Sequence, residues 1–452
     1  MTDIPLESLR RSMEGIVAAF LATCDADGVP NVSMISQVHY VDSQHVALSY
    51  QFFNKTRRNV LLTRMATVLV TDPVTLAVHR LDLDYEETRT GGPVFEVMKA
   101  KLAGIASHHG MEGVFRLLGA DIYKVRSVEA ASYWKLLPAP AEHYLLAVVR
   151  RCMGELDGCE DLESLLELSL ECLERHFGIH HAMILMAETD AQRLYTVASR
   201  GYDSSGVGSE VMFGEGVIGV AARERTPIRI GHMTMEYRYG ATLRDTARKT
   251  GIVASLPDEI PFPGLKNPRS QIALPIVLKG KLLGVLFAES EETMRFGYDE
   301  EDALMLVAQH LGTLFGLLQQ DLETAEPIVE TACPEPHDVV TVRYHPHDQS
   351  VFIGHDYLIK GVAGTILWKL LTEFQETGRT EFTTRELRVD PSLRLPEYSE
   401  NLDARLILLR KRLDERQACL RLEKCGRGRF LLRAPRSIRL EKVSGSAADA
   451  AQ

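Results

Sequence analysis

Residues 321–337, DLETAEPIVETACPEPH, constrain this chain more than any other stretch, because they gather three prolines and five acidic side chains in one run. Proline removes a backbone donor and is excluded from helix interiors and central strands, while like charges keep a segment extended. The run is therefore a linker, and folding happens on either side of it. Upstream, residues 1–138 open with a helix from Leu6 to Phe20. Short alternating runs follow (GIVAAFLAT, NVSMISQVHYV, HVALSY), divided by turn signals at Asp27-Gly28 and Asp42-Ser43, as antiparallel strands of a barrel or sandwich require. Residues 141–320 mix helical and strand-like segments, starting with an amphipathic helix on Leu162, Leu165, Leu166, Leu173 and Phe177. Their closing helix carries Leu304, Val307, Leu311, Leu314 and Leu318 at alternating spacings of three and four. That stripe is either a seam for a partner helix or one face packed on its own domain. Downstream of the linker, residues 338–436 run from short strands through helices to CLRLEKCGRGRFLLR, and 437–452 read as a disordered tail.

Charge divides the chain in the same way. The net charge is −11, yet between Arg385 and Lys442 there are 16 basic and 9 acidic side chains, a balance of +7 that leaves −18 for the rest. A basic region on an acidic body separates two jobs, and the basic one suits a polyanion. Hydrophobic residues at 45% and charged residues at 25% give the ordinary globular balance. No apolar run approaches the ~18–20 residues of a membrane span, and the N-terminus lacks a cleavable signal pattern. Seven cysteines without a CxxC pair make no disulfide framework. A reducing cytoplasm is the expected home.

Ser49, Lys55, Thr56, Arg57, Arg58 and Asn59 gather hydroxyls, an amide and cations where a strand meets a helix start. Oriented N–H donors there suit a phosphate; a solvated basic turn is the alternative. No residue declares itself a general acid or base. His79, His108 and His109 read as structural or surface groups, and Asp82, Asp84, Glu86 and Glu87 as a polar strand face. Cys152, Cys159 and Cys172, at spacings of seven and thirteen, match no compact cluster motif and read as buried, inert thiols.

The order PNVSMISQVHYVDSQHVALSYQFFNKTRRNVLLTRMATVLVTDP resembles the pyridoxamine 5'-phosphate oxidase-like FMN-binding split barrel. The resemblance implies Lys55, Thr56 and Asn59, with Ser49 beside them, as ligands of the flavin phosphate, and Ser36, Gln37 and Val38 along the isoalloxazine. It also implies a homodimer, and it leaves haem or another flavin-like cofactor open. FGEGVIGVAARERTPIRI, SQIALPIVLKGKLLGVLFAES and FGYDEEDALMLVAQHLGTLF resemble a GAF domain, with Gly214, Gly216 and Gly219 turning into a short helix and Pro275 and Gly284 in a central hairpin. Such domains hold small ligands. The signatures for cyclic nucleotides and for bilin attachment are absent here, so the ligand stays open.

GVAGTILWKLLTEFQETGRTEFTTRELRVD and YSENLDARLILLRKRLDERQACLRLEKCGRGRFLLR resemble the winged-helix output domain of response regulators. The resemblance implies Ile366, Leu367, Leu370 and Leu371 in the core and Thr383 or Thr384 capping the next helix. It places a recognition helix at about Ser399 to Arg416 in the DNA major groove. Asn401, Arg405, Arg410, Lys411 and Arg412 would contact DNA from that helix, and Lys424, Arg427 and Arg429 from the wing.

The expected fold is thus multidomain α+β: an antiparallel split β-barrel, a GAF α/β sandwich and a winged helix. The expected function is a one-component cytoplasmic sensor and transcriptional regulator. Barrel and GAF domain would sense a redox state or small ligand, the winged helix would bind DNA, and coupling would run through the Leu304–Leu318 stripe and the linker. The alternative is an FMN-dependent oxidoreductase regulated by its other domains.

Overall fold

The computed structural model describes residues 4–15, 17–35, 37–50, 54–73, 75–108, 117–131, 145–231, 260–320, 340–354, 356–390, 393, 402–416, 419–426, 428–434 and 438–443. Ser36, Asn401, Arg427 and the expected linker at 321–337 lie outside them.

The first region begins with a 3-10 helix, Leu6–Met13, and not with a helix running to Phe20. Gly15, at φ 83, is in the left-handed conformation that glycine adopts without cost, and Phe20 falls in a strand. The elements that follow are β1 (Ala19–Cys24), β2 (Pro30–Ile35), β3 (Val38–Tyr40), β4 (His45–Tyr50), α1 (Asn54–Thr63), β5 (Met65–Thr71), β6 (Val78–Arg89), α2 (Pro93–His108) and β7 (Gly119–Ala130). They make one antiparallel seven-stranded sheet, ordered β2-β1-β5-β6-β7-β4-β3. Leu21 near one edge and Val38 at the other share a core with Val46, Val68, Leu81 and Tyr123, so the sheet curls round on itself. The convex side of β2 and β1 is apolar and open, with Phe20 directly opposite Met34, and Phe20, Val32 and Met34 exposed.

The second region has α3 (Leu145–Leu156), α4 (Leu162–Phe177), β8 (His181–Glu188), β9 (Arg193–Arg200), β10 (Glu210–Met212), α5 (Gly216–Glu224), β11 (Ile228–Ile230), β12 (Ser270–Leu278), β13 (Lys281–Ser290) and α6 (Tyr298–Gln320). Its six-stranded sheet is ordered β10-β9-β8-β13-β12-β11. One face is covered by α3, α4 and α6, the other by α5. Asp161 caps α4 by accepting from the Ser164 amide, and Gly178 ends it in the left-handed conformation. The α6 stripe is spent inside the domain: Leu304, Val307 and Leu311 are buried, and a Cβ on Gly312 would sit 2.9 Å from the Val277 carbonyl of β12. That close approach to the sheet shows that Leu304, Val307 and Leu311 pack on their own domain, while Leu314 and Leu318 stay partly buried.

The third region comprises β14 (Val340–His345), β15 (Ser350–Ile353), β16 (Asp356–Ile359), α7 (Gly361–Thr377), β17 (Glu381–Thr383), α8 (Thr384–Val389), α9 (Leu402–Glu415), β18 (Arg421–Gly426), β19 (Arg429–Arg433) and β20 (Ile438–Lys442). A four-stranded sheet, β16-β15-β14-β20, and a three-stranded one, β17-β19-β18, flank the helices. Ile366, Leu367, Leu370 and Leu371 of α7 fill the core as expected. Thr383 caps α8 in a full capping box with Glu386. Residues 438–442, expected in the tail, instead form a strand parallel to β14, where Ile438 and Leu440 pack partly buried against the core.

Candidate functional site

Helix α9 is the element on which the basic reading of the sequence rests, and its surroundings decide what it does here. Of its residues 402–415 only Asp414 and Glu415 are exposed. One side packs on α7 and the other on the second region. Arg405, 5% exposed, pairs with Glu188 at the end of β8 at 3.1 Å, and its guanidinium lies 3.8 Å from the centre of the Tyr195 ring on β9. Arg410 pairs with Glu163 and Lys411 with Glu167 at 3.4 Å, both acids on α4. Lys424, on the β18–β19 hairpin, reaches the α4 cap Asp161 at 2.8 Å. Arg412 is buried and turns inward, donating to the Leu358 carbonyl at 3.2 Å and pairing with Glu415 at 2.8 Å. Arg429 is half-buried at the mouth of a cavity described below. Four of the cations assigned to nucleic acid are therefore paired with acids of the second region.

The carboxylates record the same pairing. Burial pushes Glu188 up, but Arg193 and Arg405 outweigh it and hold the group below the ordinary carboxylate range. Asp161 follows the same pattern, with Lys424 and the Ser164 amide outweighing burial. Asp403, in the first turn of α9, goes the other way: burial raises it more than Arg388 and Lys424 lower it.

Between α4, α6, α9 and the hairpin lies a cavity of about 110 Å³. Leu162, Phe315, Ile407, Leu422 and Phe430 give it apolar walls, while Asp403 and Arg410 supply polar edges. A ligand there would touch both domains at once.

In the barrel, the sequence-assigned residues divide into two groups. Thr56 is buried and engages Ser33 at 2.6 Å and Asn31 at 2.9 Å, and Asn59 donates to Thr23 at 3.3 Å, so both anchor α1 to β1 and β2. Lys55 and Arg58 are the exposed cations of α1, whereas Arg57 turns inward to Asp121 and Thr88. The second group lies on β3 and β4. Gln37 and Ser49 face each other, the Ser49 amide donating to the Gln37 carbonyl at 3.2 Å. The Gln37 side-chain amide and the Ser49 hydroxyl are buried without a hydrogen-bond partner among the described residues. Burying such groups unpaired costs ~1–3 kcal/mol each, which makes them suited to a polar group brought from outside. Val38 points to the opposite face, into the barrel core.

Barrel and second region meet through a buried ionic cluster that the sequence did not announce. Arg229, 2% exposed, pairs with Glu14 at 2.8 Å and Glu301 at 2.8 Å; Lys101 donates to the Tyr298 hydroxyl at 2.8 Å and lies 3.5 Å from Glu14. Burial raises Glu14, yet Lys101 and Arg229 hold it below the carboxylate range. His39 is kept neutral by burial, reinforced by Lys101, Arg229 and Arg10.

In the second region, the turn into α5 is made by Gly214 and Gly216, at φ 85 and 60, and by Gly219, where a Cβ would sit 2.1 Å from the Met212 carbonyl. Only glycine fits there. The GAF domain family model matches residues 159–315. Residues 159–315 are a GAF domain. No curated protein matches the chain. Among solved structures, the chain is similar to the GAF domain of an Acinetobacter phosphoenolpyruvate-protein phosphotransferase (18% identity, 40% of this chain and 97% of that one, TM-score 0.31). It is also similar to free methionine-R-sulfoxide reductase from Neisseria meningitidis in complex with its substrate (21%, 41% and 97%, 0.31). An FMN-binding protein from Syntrophomonas wolfei is a third (19%, 29% and 87%, 0.24). No helix among the described residues is long and apolar enough to cross a membrane.

Proposed function

We propose that this protein is a sensor and transcriptional regulator whose C-terminal winged helix binds DNA only after release from the GAF domain. The observation that carries the reading is the row of GAF acids, Asp161, Glu163, Glu167 and Glu188, on the cations Lys424, Arg410, Lys411 and Arg405. Carboxylates in these positions occupy the groups that would neutralise phosphates. A protein whose sole task was constitutive DNA binding would have no use for such a cover. Opening would free four cations from their carboxylate partners together, converting an input into DNA affinity.

Two inputs are compatible with this arrangement. A small molecule entering the cavity beside Phe315 and Ile407 would compete with closure. A cofactor in the barrel would act through α2 and the Glu14–Lys101–Arg229 cluster. We assign FMN to the barrel, with Lys55 and Arg58 holding its phosphate and the unpartnered Gln37 and Ser49 groups meeting polar edges of the ring. A bound flavin would supply two redox states. The exposed Phe20, Val32 and Met34 surface is the place we assign to a second copy in a homodimer.

The test is duplex-DNA affinity of the full chain against a variant carrying Asp161→Asn, Glu163→Gln and Glu167→Gln. Tighter binding by the variant supports gating; unchanged or weaker binding overturns it. FMN titration of the full chain and of a Lys55→Ala, Arg58→Ala variant tests the cofactor. Multiple-turnover NAD(P)H oxidation by the loaded protein would favour the oxidoreductase alternative.

A further inference from the structure

Outside these sites, the described residues bring together one set of soft and borderline donors. On α3, Cys152 and Glu155 are three residues apart; on α4, Cys172 and His176 are four apart. Both spacings put their pair on one helix face, and the two faces meet. The Cys172 thiol lies 3.4 Å from Glu155 Oε2, and His176 Nε2 lies 2.8 Å from Glu155 Oε1. The ligand atoms of Glu155, Cys172 and His176 all fall within 4.8 Å of one another. Cys152, one turn before Glu155 on α3, neighbours Cys172, and both cysteines are 0% exposed. The Cys172 side chain thus converges with a carboxylate and an imidazole at one point on the helix layer.

We propose that Glu155, Cys172 and His176 form a three-ligand site for a divalent cation of the zinc class, with water completing a tetrahedron. The donor set decides the metal. A thiolate and an imidazole disfavour calcium and magnesium, which take oxygen ligands, and one sulfur with a nitrogen and an oxygen matches zinc. Around zinc, with bonds of about 2.0–2.3 Å, ligand atoms stand roughly 3.3–3.8 Å apart. The 3.4 Å between Cys172 and Glu155 is already in that range, and the His176–Glu155 hydrogen bond would open to admit the ion. Metal entry releases the Cys172 thiol proton and forms one Zn–S, one Zn–N and one Zn–O bond to the protein, a water taking the fourth position, with no change of oxidation state. Charge is accommodated as well. One thiolate and one carboxylate cancel the two charges of the ion, and Arg175, which donates to Glu155 at 2.8 Å, is balanced by its second partner Glu171. An ion here would staple α3 to α4, the helix whose other end carries Asp161, Glu163 and Glu167.

The experiment is a titration of the reduced, chelator-stripped full chain with Co²⁺, followed by displacement with Zn²⁺. We expect one Co²⁺ per chain, the d–d bands of a tetrahedral site and a thiolate-to-cobalt charge-transfer band in the near ultraviolet, all lost on adding Zn²⁺. His176→Gln and Glu155→Gln, at partly exposed positions, should weaken Co²⁺ binding by at least about tenfold. Replacing the exposed Cys419 and Cys425 by serine should leave the spectrum unchanged. Cobalt binding without the charge-transfer band overturns the proposal. So does a band that survives undiminished in His176→Gln and Glu155→Gln, or one abolished by the Cys419 and Cys425 changes.

Discussion

Glu188→Gln isolates the buried member of the interdomain row. In the closed arrangement Glu188 serves two arginines, Arg193 from its own domain at 2.5 Å and Arg405 from α9 at 3.1 Å. Separation of the domains breaks only the second contact. Removing one partner of a buried pair costs ~3–5 kcal/mol. Arg405 would keep its position over Tyr195, an interaction of about 1–2 kcal/mol when desolvated. That contact is made with or without Glu188 and cancels from the difference, so the closed state should lose roughly 3–5 kcal/mol relative to the open one, or about 140- to 3,700-fold in their ratio at ~1.4 kcal/mol per tenfold. If only the open state binds DNA, apparent affinity rises by the same factor until the open state predominates. Fluorescence anisotropy with a labelled duplex reads this directly, at one fixed salt concentration because phosphate contacts are salt-dependent. Asp190→Asn, an exposed acid in the β8–β9 turn, is the control for a simple loss of negative charge. Equal shifts in the two variants, or none in Glu188→Gln, would refute the argument.

Glu14→Gln should destabilise the barrel–GAF contact by ~3–5 kcal/mol, because it leaves Lys101 and Arg229 buried around a neutral amide; the urea midpoint of the full chain measures it. Glu188, Glu14 and Asp161 are all held below their unfolded values. Their contribution is therefore complete above an unfolded pKa of ~4 and lost as pH falls through the lower folded values, so domain opening, followed by limited proteolysis, should appear only below about pH 4. Asp403 has the opposite sign: its raised pKa means that ionisation opposes the fold. Asp403→Asn should consequently raise the urea midpoint at pH 7, and the gain should vanish below about pH 4, where the acid is protonated in both states. Gly219→Ala should abolish the native near-ultraviolet circular dichroism of the GAF domain, since the added methyl meets the Met212 carbonyl at 2.1 Å.

What could be read from the sequence was local. The strand-like runs HVALSY and SQIALPIVL, the glycines before α5 and the Thr383–Glu386 box are fixed by neighbours a few residues away, and each appears where the pattern put it, although both strands are buried on both faces. The α6 stripe shows the limit of that information. A three-four spacing says that a face is buried, and only the sheet beneath Gly312 says against what. Helix α9 shows the limit for function. Its arginines were legible as cations with a shared purpose, but Glu163, Glu167 and Glu188 lie more than two hundred positions earlier, in a domain with its own pattern. The meeting of Cys172 with Glu155 and His176 was hidden for the same reason. Cys152 and Cys172 look unrelated at a spacing of twenty, and become neighbours only when α3 folds back along α4.

The parallel pairing of β20 with β14 bears on how the protein is made. β14 precedes α7, α8, α9 and the hairpin, and β20 follows them all, so the sheet cannot close until every other element of its domain has been synthesised. Such distant pairings form slowly, whereas domains fold from the N-terminus as they leave the ribosome. The GAF domain, with Asp161, Glu163, Glu167 and Glu188 already in place, would thus be complete before α9 belongs to a finished domain. On this order of events a newborn chain would enter the cell already silenced, and its activity would have to be granted afterwards.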